Sequence, residues 1–359
     1  MKSWDVIIAG GGIIGLSLAL SLRQQGLRVL IVERGEPGRE ASCAAAGMLM
    51  GAGNEIPVQL RPLAAASASM YPEFAHQLED ESGLKVDLRE QGTILIAHRN
   101  QLPERAERIS GDELRALEPA LRLPRDHRET ENRAPHAQAA ILRERSVDPR
   151  ALVAAAIQAA HHHGVDISSG TPAHKLRIED GHAAGIETAR GTYHATMVVN
   201  CAGAWAGCVQ PLRFPVRPIK GQMLAVVGGP PLKHVIQAEH VYLVPRSDGR
   251  IVIGSTLEEA GYDKRTDTSA IQTLFKAAVE AVPALAQAKI HEDWAGLRPG
   301  TPDRLPILGE TSIPGYFAAT GHYRDGILLA PVTAQAMTAL LLRQACSRDL
   351  TPFAPARFS

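Results

Sequence analysis

An α/β unit built on a parallel sheet, interleaved with a mainly antiparallel α+β unit, is the architecture this chain predicts. Three observations carry it. Within the first 33 residues an apolar run, a helix-length run and a second apolar run follow one another; alternating runs bounded by turn residues crowd 219–253; and helix and strand signals return in the last quarter without any linker or low-complexity segment. At 359 residues, with 45% hydrophobic and 21% charged side chains, the chain can bury the cores of two ordinary domains.

Taken in order, residues 4–9 read as an apolar strand buried on both faces, 13–25 as a helix apolar on most sides, and 28–33 as a second buried strand, together a β-α-β unit. Small residues fill 41–53 without a clean period. An extended segment or short helix packed against something large, such as a ligand surface, is expected there. Short strands such as 92–97, charged loops and a helical piece at 112–117 mark 82–145 as a separate α+β stretch. Asp148-Pro149 then opens a helix, with an acceptor at the N-cap and proline at the first helical position; the run 150–163 ends at Gly164. Strands are expected at 193–200 before the turn 202–204, and at 241–245 and 250–254, with turns at Gly228-Gly229 and 247–249. A helix over 270–281, strands over 290–297 and 316–320, and a long helix from about 327 to 344 complete the chain. The α/β unit therefore takes 1–81, 146–216 and 291–359, and the antiparallel unit 82–145 and 217–290.

Several function classes drop out. Lys+Arg and Asp+Glu both number 38, with no block of either sign, so nucleic acid is not an expected partner. The four cysteines form no CxxC pair and are too sparse for a disulfide framework, which points to a reducing cytoplasm. Cys201 and Cys208 read as small buried hydrophobes rather than catalytic thiols. The uncharged stretch 6–22 resembles a membrane span, but glycines at 10, 11, 12 and 15 are costly in a spanning helix, and no transmembrane segment is expected. His161-His162-His163 point in different directions from the end of a helix, so no metal site is expected.

The glycines have a better explanation. Gly10, Gly12 and Gly15 satisfy G-x-G-x-x-G directly after a strand and at the opening of a helix that begins Ile13-Ile14. Gly10 permits the tight turn, Gly12 lets a pyrophosphate approach the backbone, and Gly15 lets helix and strand pack closely, while the helix N-terminus offers N–H donors. Glu33 closes the next strand where a carboxylate can accept from a ribose hydroxyl. The first unit is thus predicted to be Rossmann-like and to bind a dinucleotide, FAD or NAD.

VERGEPGREASCAAAGML (32–49), VVNCAGAWAG (198–207), WAGLRPGTPDRLPILG (294–309) and ATGHYRDGILLAP (319–331) decide between the two. Spread from the first strand to the terminal PFAPARF, they resemble the D-amino-acid oxidase family of flavoproteins, and within it the thiamine-pathway glycine oxidases. The resemblance implies FAD, held noncovalently, because related sarcosine oxidases attach flavin through a cysteine in the segment matching 294–303 and this chain has none there. By the same carry-over Ile13, Ile14, Glu33, Arg34, Ala41, Ser42, Ala46, Gly47 and Met48 line the FAD path, Ala173 lies at the adenosine end, and His322, Tyr323, Arg324, Asp325, Gly326, Ile327 and Leu328 contact the flavin. A helix starting near Gly326 would aim unpaired N–H groups and its dipole at the flavin edge that gains charge on reduction. Pro331 is expected in the first turn of that helix, where it costs little.

Arg298 and Arg324 are the candidates for a substrate carboxylate, which a guanidinium can grip bidentately. The family pattern places the main clamp on Arg298 with Tyr242, and Arg324 at the border. His240, two residues before Tyr242, is expected on the same strand face. Met48 and Leu257 are expected to form an apolar wall. The implied reaction is oxidative deamination of glycine, another small amine or a D-amino acid by molecular oxygen, giving imine or keto acid, ammonia and hydrogen peroxide, in support of thiamine biosynthesis and in a homo-oligomer, a homotetramer by resemblance. Two rivals stand beside it: a D-amino-acid or sarcosine dehydrogenase that passes electrons to a quinone or carrier, and a catalytically silent FAD-binding protein.

Overall fold

The structure is a computed structural model and describes residues 3–51, 56–98, 102–103, 105–122 and 137–358; residues 52–53 of the small-residue stretch and the charged stretch 123–136 lie outside it. Its helices are α1 (Ile13–Gln24), α2 (Ala41–Ala44), α3 (Arg61–Ser82), α4 (Gly111–Leu117), α5 (Pro149–His162), α6 (Thr268–Ala281) and α7 (Gly326–Leu341).

One sheet has six strands in the order Ile307–Glu310, Tyr316–Thr320, Met197–Asn200, Val6–Ala9, Val29–Val32, Asp166–Ser168. All neighbours run parallel except the first pair. Alternation along these strands explains why they are apolar throughout. Val6, Ile8, Val29 and Ile31 pack on one face against residues of α1, α3, α5 and α7, while Ile7, Leu30, Val32 and Val198 pack on the other against Leu176, Ala183 and Ile186 of a small antiparallel sheet. Val29–Val32 and Met197–Asn200 pair with opposite sides of Val6–Ala9, so a crevice opens at its C-terminal end, where the glycine turn leaves it.

The second large sheet has eight strands, ordered Lys289–Gly300, Arg217–Val227, Ile251–Gly254, Tyr242–Pro245, Val235–Gln237, Thr93–His98, Ala137–Leu142, Glu107–Ile109. Leu224, Val226, Leu243 and Ile253 face α6, and the alternate residues Met223, Tyr242, Val244 and Val252 face the other way, toward Ala46 and Met48. Residues 291–300, grouped above with the α/β unit, hydrogen-bond to Arg217–Val227 within this sheet.

Several expectations need correction. Residues 193–200 form two strands in different sheets, Gly191–His194 and Met197–Asn200, because Tyr193 pairs with Ile186 in the small sheet. The small-residue stretch contains one helical turn, α2, and the short strand Met48–Leu49. Asp148 caps α5 as expected, its Oδ1 accepting from the Arg150 N–H at 2.8 Å. Pro331, by contrast, stands in the second turn of α7. Without an N–H it leaves the Ile327 carbonyl lacking its helical donor, and the buried phenol of Tyr71 on α3 donates to that oxygen instead. One α3 turn away, Ser67 inserts into the next rung: its hydroxyl donates to the Leu328 carbonyl at 2.6 Å and accepts from the Val332 N–H at 3.4 Å.

Candidate functional site

A continuous cavity of about 1000 Å³ runs from the glycine turn of the parallel sheet to the inner face of the antiparallel sheet. At its first end two of the motif glycines, Gly10 and Gly15, have a steric reason. Gly10 sits at φ +113°, and a Cβ there would stand 2.4 Å from the Cys201 carbonyl oxygen. A Cβ on Gly15 would stand 2.1 Å from the Gly10 oxygen, so the third glycine is what lets α1 pack on the turn. Gly12 meets only Ser42 Oγ, at 3.2 Å, and its backbone lines the cavity. The Ile13 N–H donates to Ser42 Oγ at 3.0 Å, so a side chain already occupies the first helical donor.

Glu33, buried, accepts from the Gly11 N–H at 2.7 Å and the Gly35 N–H at 2.8 Å. Its carboxylate braces the turn while it lines the cavity, and each oxygen keeps a lone pair for a further donor. Ile14, Arg34, Ala41, Ser42, Ala46, Gly47, Met48 and Ala173 line the same cavity. Gly47 needs its φ of +76°, since a Cβ would meet the Val147 oxygen at 2.0 Å. Trp205 is a residue the sequence reading missed. Arg34 lies over its ring at 4.1 Å and Tyr262 stacks on it, making a flat aromatic edge to the cavity. Bare glycine backbone, a helix N-terminus and a carboxylate at the strand end fit a dinucleotide.

At the other end His322, Tyr323, Arg324, Asp325, Gly326 and Ile327 line the cavity. Leu328 does not. Its side chain is buried in the core beside α3. The Tyr323 N–H donates to the Pro299 oxygen at 3.0 Å, which ties this segment to the strand bearing Arg298. The His322 ring is buried with Nε2 3.1 Å from Thr333 Oγ1, and burial pushes its pKa down to about 3. The folded protein therefore holds His322 neutral while the unfolded chain protonates it below its ordinary 6.5. A depressed base makes stability rise with pH between about 3 and 6.5, and this share is lost as pH falls through that window. We expect H322N to remove about 1.4 kcal/mol per pH unit of that slope, read as the difference between urea unfolding of the two proteins at stepped pH. Identical slopes would show that His322 carries no such burden.

Arg298 is largely buried. Its Nη2 donates to Ser255 Oγ at 2.8 Å and its Nη1 to the Thr256 carbonyl at 3.2 Å, and among the described residues it has no carboxylate partner. Burial, the largest influence, lowers its pKa, and neighbouring Tyr242 opposes that fall. A partly buried guanidinium without a counter-ion is a site that favours an anion. Two glycines clear the space: a Cβ on Gly221 would meet the Arg298 guanidinium at 2.1 Å, and one on Gly254 the Tyr242 hydroxyl at 2.6 Å. Neither glycine was identified from sequence, because both belong to neighbouring strands whose register no local pattern reveals.

Arg324 lies 5.4 Å over the Tyr323 ring at the cavity border. Met48 and Leu257 both line the cavity, Leu257 at its exposed rim. His240 departs from expectation. A tight turn closed by the Ala238 N–H on the Val241 carbonyl precedes the strand, which begins only at Tyr242. Strand alternation does not reach residue 240, whose ring is 80% exposed at the cavity mouth beside Glu239. Cys201 is buried as expected, but Cys208 is exposed, 3.6 Å from the Tyr262 hydroxyl. Among the described residues no group of three His, Cys, Asp or Glu side chains could hold a metal ion, and no helix is long and apolar enough to cross a membrane.

Comparison with known proteins agrees with this geometry. The chain is 35% identical to the glycine oxidase of Geobacillus kaustophilus over 99% of its own length and 97% of the relative's. The solved structure of glycine oxidase from that organism superposes with a TM-score of 0.91 at 32% identity, covering 99% of both chains. The chain is 30% identical to the hydrogen cyanide synthase subunit HcnC of Pseudomonas aeruginosa, over 99% of its own length and 97% of HcnC. Against the bifunctional protein ThiO/ThiG of Trichormus variabilis the identity is 35% over 99% of this chain, which spans about half, 55%, of that longer relative. The model of the DAO family, FAD dependent oxidoreductase, matches residues 5–340. Nucleotide cradle, cavity and relatives agree: the chain belongs to the DAO family of FAD-dependent oxidoreductases, and it is an FAD-dependent enzyme.

Proposed function

We propose that the chain oxidises glycine, and with it other small amines or D-amino acids, using molecular oxygen as final acceptor and releasing hydrogen peroxide. The observation that carries this reading is the partly buried Arg298, without a carboxylate partner among the described residues, which shares one cavity with the glycine-turn cradle. When bound, FAD supplies the two-electron acceptor for a hydride. Gly10, Gly12, Ile13, Ile14, Glu33, Arg34, Ser42 and Gly47 would hold it, with Trp205 and Ala173 toward the adenosine end and residues 322–327 toward the flavin.

Arg298 and Tyr242 grip the substrate carboxylate and so fix which face of the α-carbon points into the cavity. His322, held neutral by burial, adds no positive charge to this end of the cavity. No side-chain base is required, because solvent at the cavity mouth takes the ammonium proton; the site contributes orientation and electrostatics. The imine leaves to hydrolyse to keto acid and ammonia. Likeness to ThiO/ThiG supports a supply role in thiamine biosynthesis; a homo-oligomer and action in the cytoplasm belong to the same proposal. The division into 1–81, 146–216 and 291–359 against 82–145 and 217–290 belongs to the same proposal, with the crossing strand Lys289–Gly300 carrying Arg298 to the cavity.

Coupled assays for peroxide and ammonia on the purified yellow protein test the acceptor. Equal yields of both from glycine, with matching oxygen uptake, are expected. Turnover only with a quinone or dye in place of oxygen would make it a dehydrogenase.

A further inference from the structure

α7 opens on the cavity, and its first turn is held from behind by two hydroxyls of α3 in two chemically different ways. Tyr71, fully buried, donates to the Ile327 carbonyl, the one Pro331 has stripped of its helical donor. The same peptide unit carries the Leu328 N–H. It lies among the first N–H groups of α7, which have no partner within the helix and point out of its N-terminal end, where Gly326 and Ile327 line the cavity. Ser67 donates to the next carbonyl, Leu328, at 2.6 Å, but the N–H of that peptide unit belongs to Leu329 and is already bound to the Asp325 carbonyl at 2.8 Å. One hydroxyl therefore polarises a peptide whose N–H is at the open end of the helix, and the other a peptide whose N–H is consumed inside it. A hydrogen bond to a carbonyl makes the N–H of the same peptide a stronger donor.

We propose that Tyr71, acting through the Ile327–Leu328 peptide, is a positioning residue for the redox reaction: it strengthens the α7 N-terminus as a donor to negative charge at this end of the cavity. Pro331 is part of the device, since with any other residue there the Ile327 carbonyl would be occupied by the helix itself. Burial leaves the phenol un-ionised and far above its ordinary pKa, so Tyr71 acts only as a donor. The proposal rests on the flavin lying at the 322–327 end, as the proposed function has it.

The test compares Y71F, S67A and the double variant Y71F/P331A as FAD-loaded proteins. Three quantities are read: sulfite affinity, from the loss of visible flavin absorbance; the flavin midpoint potential; and thermal stability. Sulfite reports how well the site accepts negative charge on the flavin and needs no amine substrate, so a wrong substrate assignment does not affect it. Y71F should bind sulfite about two- to fivefold more weakly, with a correspondingly more negative potential. S67A should lose stability without moving either quantity. Y71F/P331A, in which the backbone N–H restored at position 331 replaces the phenol on the Ile327 carbonyl, should regain much of the wild-type affinity, and it keeps the test open if Y71F alone folds poorly. Equal shifts in Y71F and S67A, or unchanged sulfite affinity in Y71F or a double variant no better than it, would overturn the assignment.

Discussion

R298A is expected to lower kcat/KM for glycine by about 30- to several-thousand-fold while the protein stays yellow. The substitution leaves a substrate carboxylate facing Ser255 and Thr256 without its guanidinium, and losing one partner of a buried charge pair costs about 2–5 kcal/mol. The loss should fall on both KM and kcat, because the same contact fixes the α-carbon in its reactive orientation. Steady-state kinetics beside an FAD absorbance spectrum separate this from mere cofactor loss. Wild-type kinetics in R298A with FAD bound would remove the clamp.

G10A strikes the other end of the cavity. An alanine there must adopt φ +113° and place its Cβ 2.4 Å from the Cys201 oxygen, a backbone atom that cannot swing aside. Left-handed strain and overpacking together cost about 2–5 kcal/mol. The strain falls on the turn that must approach the nucleotide. G10A should purify largely colourless, with FAD affinity down by at least about tenfold and a lowered Tm. A yellow G10A protein with wild-type FAD affinity would mean that the turn is not the nucleotide cradle.

What could be read from the sequence was what local chemistry fixes. The β-α-β opening followed from two apolar runs flanking a glycine turn, and the start of α5 from Asp148-Pro149, because capping is decided within a few neighbouring residues. Arg298 and Tyr242 were named by resemblance rather than by pattern, and the geometry brings them together. What escaped depended on partners far along the chain. Pro331 was expected at a harmless place, and only the distant α3 hydroxyls, 256 and 261 residues from the carbonyls they bind, make its second-turn position workable. His240 was placed on a strand that a tight turn stops short of it. Trp205, Gly221 and Gly254 act across units or strands, where no periodicity points.

The most direct test of the central claim is anaerobic titration of the yellow protein with glycine, followed by air, with sarcosine, D-alanine, D-proline and L-alanine in parallel. The account predicts that glycine bleaches the flavin and that air restores the colour rapidly with release of peroxide. A flavin that remains bound and yellow against all five would contradict it.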